Sequence, residues 1–291
     1  MEILNVGVVG AGQMGNGIAQ VMAQAGLNVL LCDNNQAALD KGLTSIHKNL
    51  DFLVNKQRIS EDDKSQILNK IQCHQEISSL ADCDLVIEAI VENETVKCEL
   101  FRQLDWLCKA DCILASNTSS ISISKLASVT QRPSRVIGIH FMNPVPQMKL
   151  VEVIPALQTH SDIFLSCYSL VKKLNKTPVK VEDMPGFAAN RILIPMLNEA
   201  MFCLHEGVAS ASEIDTISQL GMNHKMGPLA LADLIGLDTC FSIMQVLYDG
   251  FKDSKYRPCP LLVQMVNAGQ LGRKTGQGFY QYLDTKAQVS S

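Results

Sequence analysis

No run of apolar residues in this sequence approaches the roughly 18 that a membrane-crossing helix needs, so no membrane partner is expected. Its ten cysteines never form a CxxC pair, and several (Cys32, Cys203, Cys240) stand inside apolar runs. That scatter removes the case for a disulfide framework or a zinc site. The thiols read as small core hydrophobes in a reducing compartment, and no metal is expected. Positive charge is not in excess: 25 Lys and Arg stand against 29 Asp and Glu, a formal net charge of -4. A mildly acidic chain argues against nucleic acid or an anionic membrane as the main partner, while leaving room for a local basic patch that takes a phosphorylated ligand. Internal repeats and low-complexity segments are lacking too. Strand-like residues begin at Ile3, which leaves no room for a signal peptide. A cytoplasmic location is expected, or the mitochondrial matrix if a presequence has been removed.

At 291 residues the chain is long for one core, and two domains are expected. VGVVGAGQMGNGIAQVMAQAGLNVLLCD, residues 6–33, reads as strand, glycine turn, helix and strand. Its first run is apolar without alternation, as in a parallel strand buried on both faces. A long helical passage is expected over 36–75, broken near Arg58-Ile59-Ser60, where Ser60 ahead of Glu61, Asp62 and Asp63 makes a helix cap. Strands are expected at 84–90, 112–117, 135–140, 150–154 and 178–183. From Phe187 to about Asn267 the pattern is helical, with Ser212-x-x-Asp215 and Gly227-Pro228 as capping signals and the short FYQY beyond it as a last strand. The expected fold class is α/β. A doubly wound Rossmann-type sheet occupies residues 1–184, and an all-helical C-terminal domain occupies 185–291.

Gly10-Ala11-Gly12-Gln13-Met14-Gly15 is a GxGxxG that directly follows a buried strand and opens a helix. The first glycine permits a tight turn, the second lets backbone approach a pyrophosphate, and the third lets helix and strand pack closely. Free N–H groups at the helix start face the phosphate charge. Asp33 closes the second strand, where an acid would accept hydrogen bonds from the adenosine ribose hydroxyls and repel a 2′-phosphate. Asn34, Asn35 and Gln36 follow it, with no arginine, so NAD is favoured over NADP.

Ligands in such sheets bind beyond the carboxyl ends of the strands, and three polar clusters fall there. They are Glu88 to Lys97, Ser116 to Ser120, and His140. In VIGIHFMNPVPQMKLVEVI, residues 136–154, two runs rich in β-branched residues flank a loop over Asn143 to Gln147. If they pair as a hairpin, His140 and Glu152 come to the same end of the sheet, either as a catalytic pair or as two groups that satisfy each other.

The ordered series GAGQMGNGIAQ, EAIVENETVK, LASNTSS, GIHFMNPVPQMKLVEVI, PGFAANRILIPMLNEA, NHKMGPLALADLIGLD and GRKTGQGFY spans nearly the whole chain. It resembles the 3-hydroxyacyl-CoA dehydrogenases, above all short bacterial members acting on 3-hydroxybutyryl-CoA. Gln13, Asn16 and Met142 depart from the usual pattern. The resemblance implies NAD-dependent oxidation of (3S)-3-hydroxyacyl-CoA to 3-ketoacyl-CoA, and the reverse, on short acyl chains. His140 would be the general base and acid, Glu152 would orient it and stabilise the imidazolium, and Ser119 and Asn190 would bind the substrate oxygens. Besides the glycine turn and Asp33, cofactor contacts would come from Glu92, Lys97, Asn117, Ser119, Asn143 and Lys274. Lys48 and Lys56, near Lys41 on the helix after the second strand, would meet the phosphates of CoA. Family members associate through the helical domain, which implies a homodimer. Two other readings stay open: a dehydrogenase of free hydroxy acids or sugar acids on the same fold, and a crystallin-like dinucleotide binder without turnover.

Overall fold

The structure is a computed structural model that describes residues 2–282. It divides into two compact units, one ending at Met184 and one beginning at Pro185.

The first unit opens with β1 (Asn5–Val9), α1 (Gln13–Gln24) and β2 (Asn28–Cys32), then α2 (Gln36–Asn55), α3 (Glu61–Asn69) and β3 (Ile71–His74). After these come β4 (Leu85–Glu88), α4 (Glu94–Leu107), β5 (Ile113–Ser116) and α5 (Ile123–Ala127). β6 (Val136–Phe141), β7 (Leu150–Pro155), α6 (Ser161–Lys173) and β8 (Thr177–Lys180) complete it. One eight-stranded sheet results, in the order β3-β2-β1-β4-β5-β6-β7-β8. Pairing is parallel from β3 to β6; β7 then runs antiparallel to β6, and β8 runs parallel to β7. Val8, Leu31, Leu85, Ile113 and Ile137 are fully buried, which explains strands that read as continuous apolar runs. The carboxyl ends of β1, β4, β5 and β6 therefore share one edge of the sheet.

One expected element is different. Residues 36–75 are not helical throughout: α3 ends at Asn69, and Ile71–His74 pairs with β2 in the register Val29↔Ile71 to Cys32↔His74. IQCH alternates apolar and polar residues but over only four positions, too short to announce a strand, so the open edge of β2 decides its conformation. The break between α2 and α3 lies where Ser60 and Asp63 form a reciprocal capping box. At the other edge, β8 covers Thr177–Lys180 rather than 178–183.

The second unit comprises α7 (Ala189–His205), α8 (Ala211–Gly221), α9 (Pro228–Ile235), α10 (Leu237–Phe251) and α11 (Pro260–Asn267) around a core that includes Leu197, Met201, Leu229, Leu237 and Met244. Gly227-Pro228 starts α9 as the sequence suggests, but Ser212 does not cap α8. Ser210 does, in a capping box with Glu213. Asp215 caps a different helix, accepting from the Leu229 and Ala230 amides at 2.8 and 3.0 Å and from the Tyr280 hydroxyl at 2.7 Å. FYQY forms no strand among the described residues, only a bridge between Gln277 and Gln281.

All ten cysteines are free. Burial pushes the Cys32 thiol up to about 11 and those of Cys167 and Cys240 to about 12, as suits packing groups rather than nucleophiles.

Candidate active site

The glycine turn lies between the end of β1 and the start of α1. A Cβ on Gly15 would lie 1.7 Å from the Gly10 carbonyl oxygen, so helix and turn can be this close only with glycine there. Gly12 is the opposite case: a Cβ there would meet nothing within 4 Å. Nothing in the protein itself requires a glycine at 12, whereas a phosphate lying against the backbone would. Gly12 is also the N-cap of α1 and supplies no side-chain cap, so the first-turn amides are left for a ligand.

Asp33 follows β2 and grips the turn. Its Oδ2 accepts from the Ala11 amide at 2.8 Å and its Oδ1 from the Asn35 amide at 3.0 Å. With Gly10, Gly12, Ile90, Val91 and Thr95 it lines a cavity of about 890 Å³ at the ends of β1, β2 and β4. Space, donors and a carboxylate thus fit the adenosine half of a dinucleotide.

Beside this cavity lies a charge cluster in which Glu88 and Lys97 are buried and Glu92 reaches the surface. Glu88, fully buried at the end of β4, takes the Lys97 ammonium, the Ser116 hydroxyl at 2.6 Å and the Ile90 amide at 2.8 Å. Lys97 reaches on to Glu92 Oε2 at 3.1 Å. Glu92 Oε1 accepts from the Thr118 hydroxyl at 2.6 Å, the Ser119 amide at 2.9 Å and the Ser120 hydroxyl at 2.9 Å. Burial works to raise the pKa of Glu92, but Lys97 and these donors outweigh it and hold the carboxyl below its ordinary value. Glu92 thus holds both the Ser119 amide and the Lys97 ammonium. Asn117 Oδ1 accepts from the Phe141 amide at 2.9 Å, tying the end of β5 to that of β6.

His140 and Glu152 are direct partners in the β6–β7 register, and His140 Nδ1 lies 2.8 Å from Glu152 Oε2. Both are buried, at 7% and 2% exposure. An ionised carboxylate only accepts, so Nδ1 carries the proton of the neutral ring and Nε2 is the basic nitrogen. The hairpin loop that follows β6 holds Asn143, whose Oδ1 accepts from Gln13 Nε2 at 3.1 Å. Gln13, a departure from the usual pattern, therefore connects the glycine turn to this loop.

Of the remaining residues singled out from the sequence, two belong to the second unit and two to α2 and its C-cap. Asn190 is in the first turn of α7. Lys274 pairs with Asp238, both in the second unit. Lys48 and Lys56 are exposed, on α2 and at its C-cap, with the Lys56 ammonium 5.7 Å from the centre of the Phe52 ring. Two residues were not singled out individually as site residues. Glu88 is signalled by a carboxylate closing an apolar strand nine residues before a lysine. Lys176, 8% exposed, donates to the Val145 and Met148 carbonyls at 2.6 Å each, and nothing in NKTPVK marks it.

A glycine turn suited to a dinucleotide and a buried, carboxylate-held imidazole on one sheet edge are what nicotinamide-linked oxidation of an alcohol requires, and fold and site together define an NAD-dependent dehydrogenase. Residues 5–184 match the NAD binding domain of 3-hydroxyacyl-CoA dehydrogenase, and residues 186–282 match its C-terminal domain. The chain belongs to the 3-hydroxyacyl-CoA dehydrogenase family. It is 53% identical to the probable 3-hydroxybutyryl-CoA dehydrogenase of Bacillus subtilis, over 97% of this chain and 98% of that one. It is 54% identical to the probable 3-hydroxybutyryl-CoA dehydrogenase of Deinococcus radiodurans, over 96% and 100%. The crystal structure of (S)-3-hydroxybutyryl-CoA dehydrogenase PaaH1 from Ralstonia eutropha superimposes with a TM-score of 0.95 at 50% identity, over 97% of this chain and 100% of that one.

Proposed function

We propose that this enzyme interconverts (3S)-3-hydroxyacyl-CoA and 3-ketoacyl-CoA, with 3-hydroxybutyryl-CoA and acetoacetyl-CoA as its substrates. The observation that carries this reading is the 2.8 Å contact between His140 Nδ1 and Glu152 Oε2 on paired strands. Because Nδ1 is committed to the carboxylate, Nε2 takes the hydroxyl proton as the alcohol is oxidised and returns it in reduction. Glu152 then stabilises the imidazolium. NAD, when bound, supplies the acceptor for the hydride. Ser119 and Asn190 donate to the substrate oxygens. The turn from Gly10 to Gly15, including Gln13 and Met14, holds the dinucleotide together with Asp33, Glu92, Asn117 and Asn143. Lys48 and Lys56 meet the phosphates of CoA, the protein works as a homodimer, and its place is the cytoplasm.

The test is NADH oxidation with acetoacetyl-CoA, with longer 3-ketoacyl-CoAs and with free acetoacetate. Turnover should be fastest with acetoacetyl-CoA and fall as the chain lengthens. Equal rates with the free acid would make CoA irrelevant. Tight NADH binding with no turnover of any substrate would leave a dinucleotide binder.

A further inference from the structure

We infer that Lys176 is a positioning residue for the cofactor: it fixes the hairpin loop between β6 and β7 so that Asn143 meets the nicotinamide end of the dinucleotide. This rests on the proposed role of Asn143. Lys176 lies in the turn between α6 and β8, yet its ammonium bonds the carbonyls of Val145 and Met148 at 2.6 Å each. Both partners are backbone carbonyls, neither a carboxylate. A lysine is seldom buried without a counter-charge, because removing an ammonium from water costs free energy that a leucine at the same place would not. What the lysine provides and a leucine cannot is a fixed place for two carbonyls on one short loop.

The loop's other fastenings point the same way. Gln147 and Met148 amides both return to the Pro144 carbonyl at 3.0 Å, and Thr177, next to Lys176, donates to the Lys149 carbonyl at 2.8 Å. On the far side α1 is shaped to receive the loop, since a Cβ on Gly17 would come within 2.9 Å of Val145 Cβ. Gln13 holds Asn143 itself. The segment from 143 to 148 is thus pinned from α1 at one end and from Lys176 at the other. Asn143 stands at the start of this segment and is exposed, as are Pro144, Gln147 and Met148. Lys149 and Lys173 line a cleft of about 200 Å³ together with Lys176. Burial first, and then the charge of Lys149, holds the Lys176 pKa below its ordinary value.

A double-mutant cycle on NADH affinity tests this. Asn143→Ala alone should weaken NADH binding about tenfold, and Lys176→Met alone by nearly as much. Together they should be little worse than Asn143→Ala, because residues that act through one contact are not additive. Lys176→Arg should restore affinity to within about threefold of the parent. If Asn143→Ala leaves NADH affinity unchanged, the role assigned to Asn143 fails. If Asn143→Ala weakens binding but the two losses multiply, the role of Lys176 fails while that of Asn143 stands.

Should Lys176→Met not fold, the exposed neighbour supplies the second measurement. Lys149→Ala leaves Lys176 in place and removes the charge that helps to lower its pKa. The alkaline loss of NADH affinity should then move to higher pH in Lys149→Ala than in the parent. An unmoved alkaline limb overturns the inference.

Discussion

His140 and Glu152 face each other across an antiparallel pair of strands, and the ring nitrogen that the glutamate holds is the one that cannot then act as the base. The imidazole tautomer is set by the sheet register, with the ring on β6 and the carboxylate that holds it on β7. His140→Ala should lower kcat by about a hundredfold or more with NADH affinity nearly unchanged, as for loss of a general base. Steady-state kinetics beside a fluorescence titration with NADH make the comparison. Unchanged turnover removes His140 from the mechanism.

Glu152→Gln keeps the size of the side chain but offers the ring an amide that can donate as well as accept. A mixture of tautomers follows, so kcat should drop by about tenfold to a hundredfold while the protein remains folded. Circular dichroism alongside the rate separates lost orientation from lost structure. A variant as active as the parent would mean the two residues only satisfy each other.

Two glycines of one turn should behave differently. Gly15→Ala sets a methyl group 1.7 Å from the Gly10 carbonyl oxygen and should lower the Tm clearly. Gly12→Ala meets nothing within 4 Å and should cost at most about 1 kcal/mol of stability, as for a weakened N-cap. Its NADH Kd should nonetheless rise at least about tenfold if backbone and pyrophosphate approach there as proposed, because the methyl would stand between them. Thermal melts and NADH titrations of both variants suffice. A Gly12→Ala protein with parental affinity would show that the dinucleotide does not pass there.

Lys97→Met leaves Glu88 fully buried without its cation, a loss expected to cost about 3–5 kcal/mol in urea unfolding. The pH dependence should change as well. A carboxyl whose folded-state pKa is depressed adds stability above its unfolded value and loses that contribution as pH falls through the folded one. For Glu92 the loss belongs below its ordinary 4.5 in the parent, and without Lys97 it should begin at higher pH. Identical acid-unfolding curves would show that Lys97 does not hold Glu92.

If Asp33 reads the adenosine ribose as proposed, Asp33→Ala should raise the kcat/KM for NADPH relative to NADH, because a carboxylate there would repel a 2′-phosphate. An unaltered ratio would mean that this residue does not read the ribose.

Much of this was legible before any coordinates. The glycine turn announces itself because an apolar strand, a tight turn and a helix need particular residue types at fixed offsets. The hairpin was legible because two runs rich in β-branched residues flank a proline-bearing loop of fitting length. The pairing of His140 with Glu152 was visible only as a possibility, since a slip of register by one residue would have sent the two side chains to opposite faces. β3 was hidden: four residues of mixed polarity become a strand only because β2 offers an edge. Asp215 caps α9 rather than the helix its spacing suggests for a related reason, as a carboxylate spaced correctly for a local cap can equally cap a helix that tertiary packing brings near. Lys176 carried no signal at all, because its two partners are carbonyls, which every residue has.

The grip of Asp33 on the Ala11 amide reaches beyond specificity. Anyone retooling this enzyme for NADPH by exchanging that acid for a small or basic residue would also unfasten the glycine turn proposed to hold the pyrophosphate. A successful redesign must therefore furnish a substitute acceptor for Ala11, or the gain in tolerance for the extra phosphate will be offset by a looser grip on the whole dinucleotide.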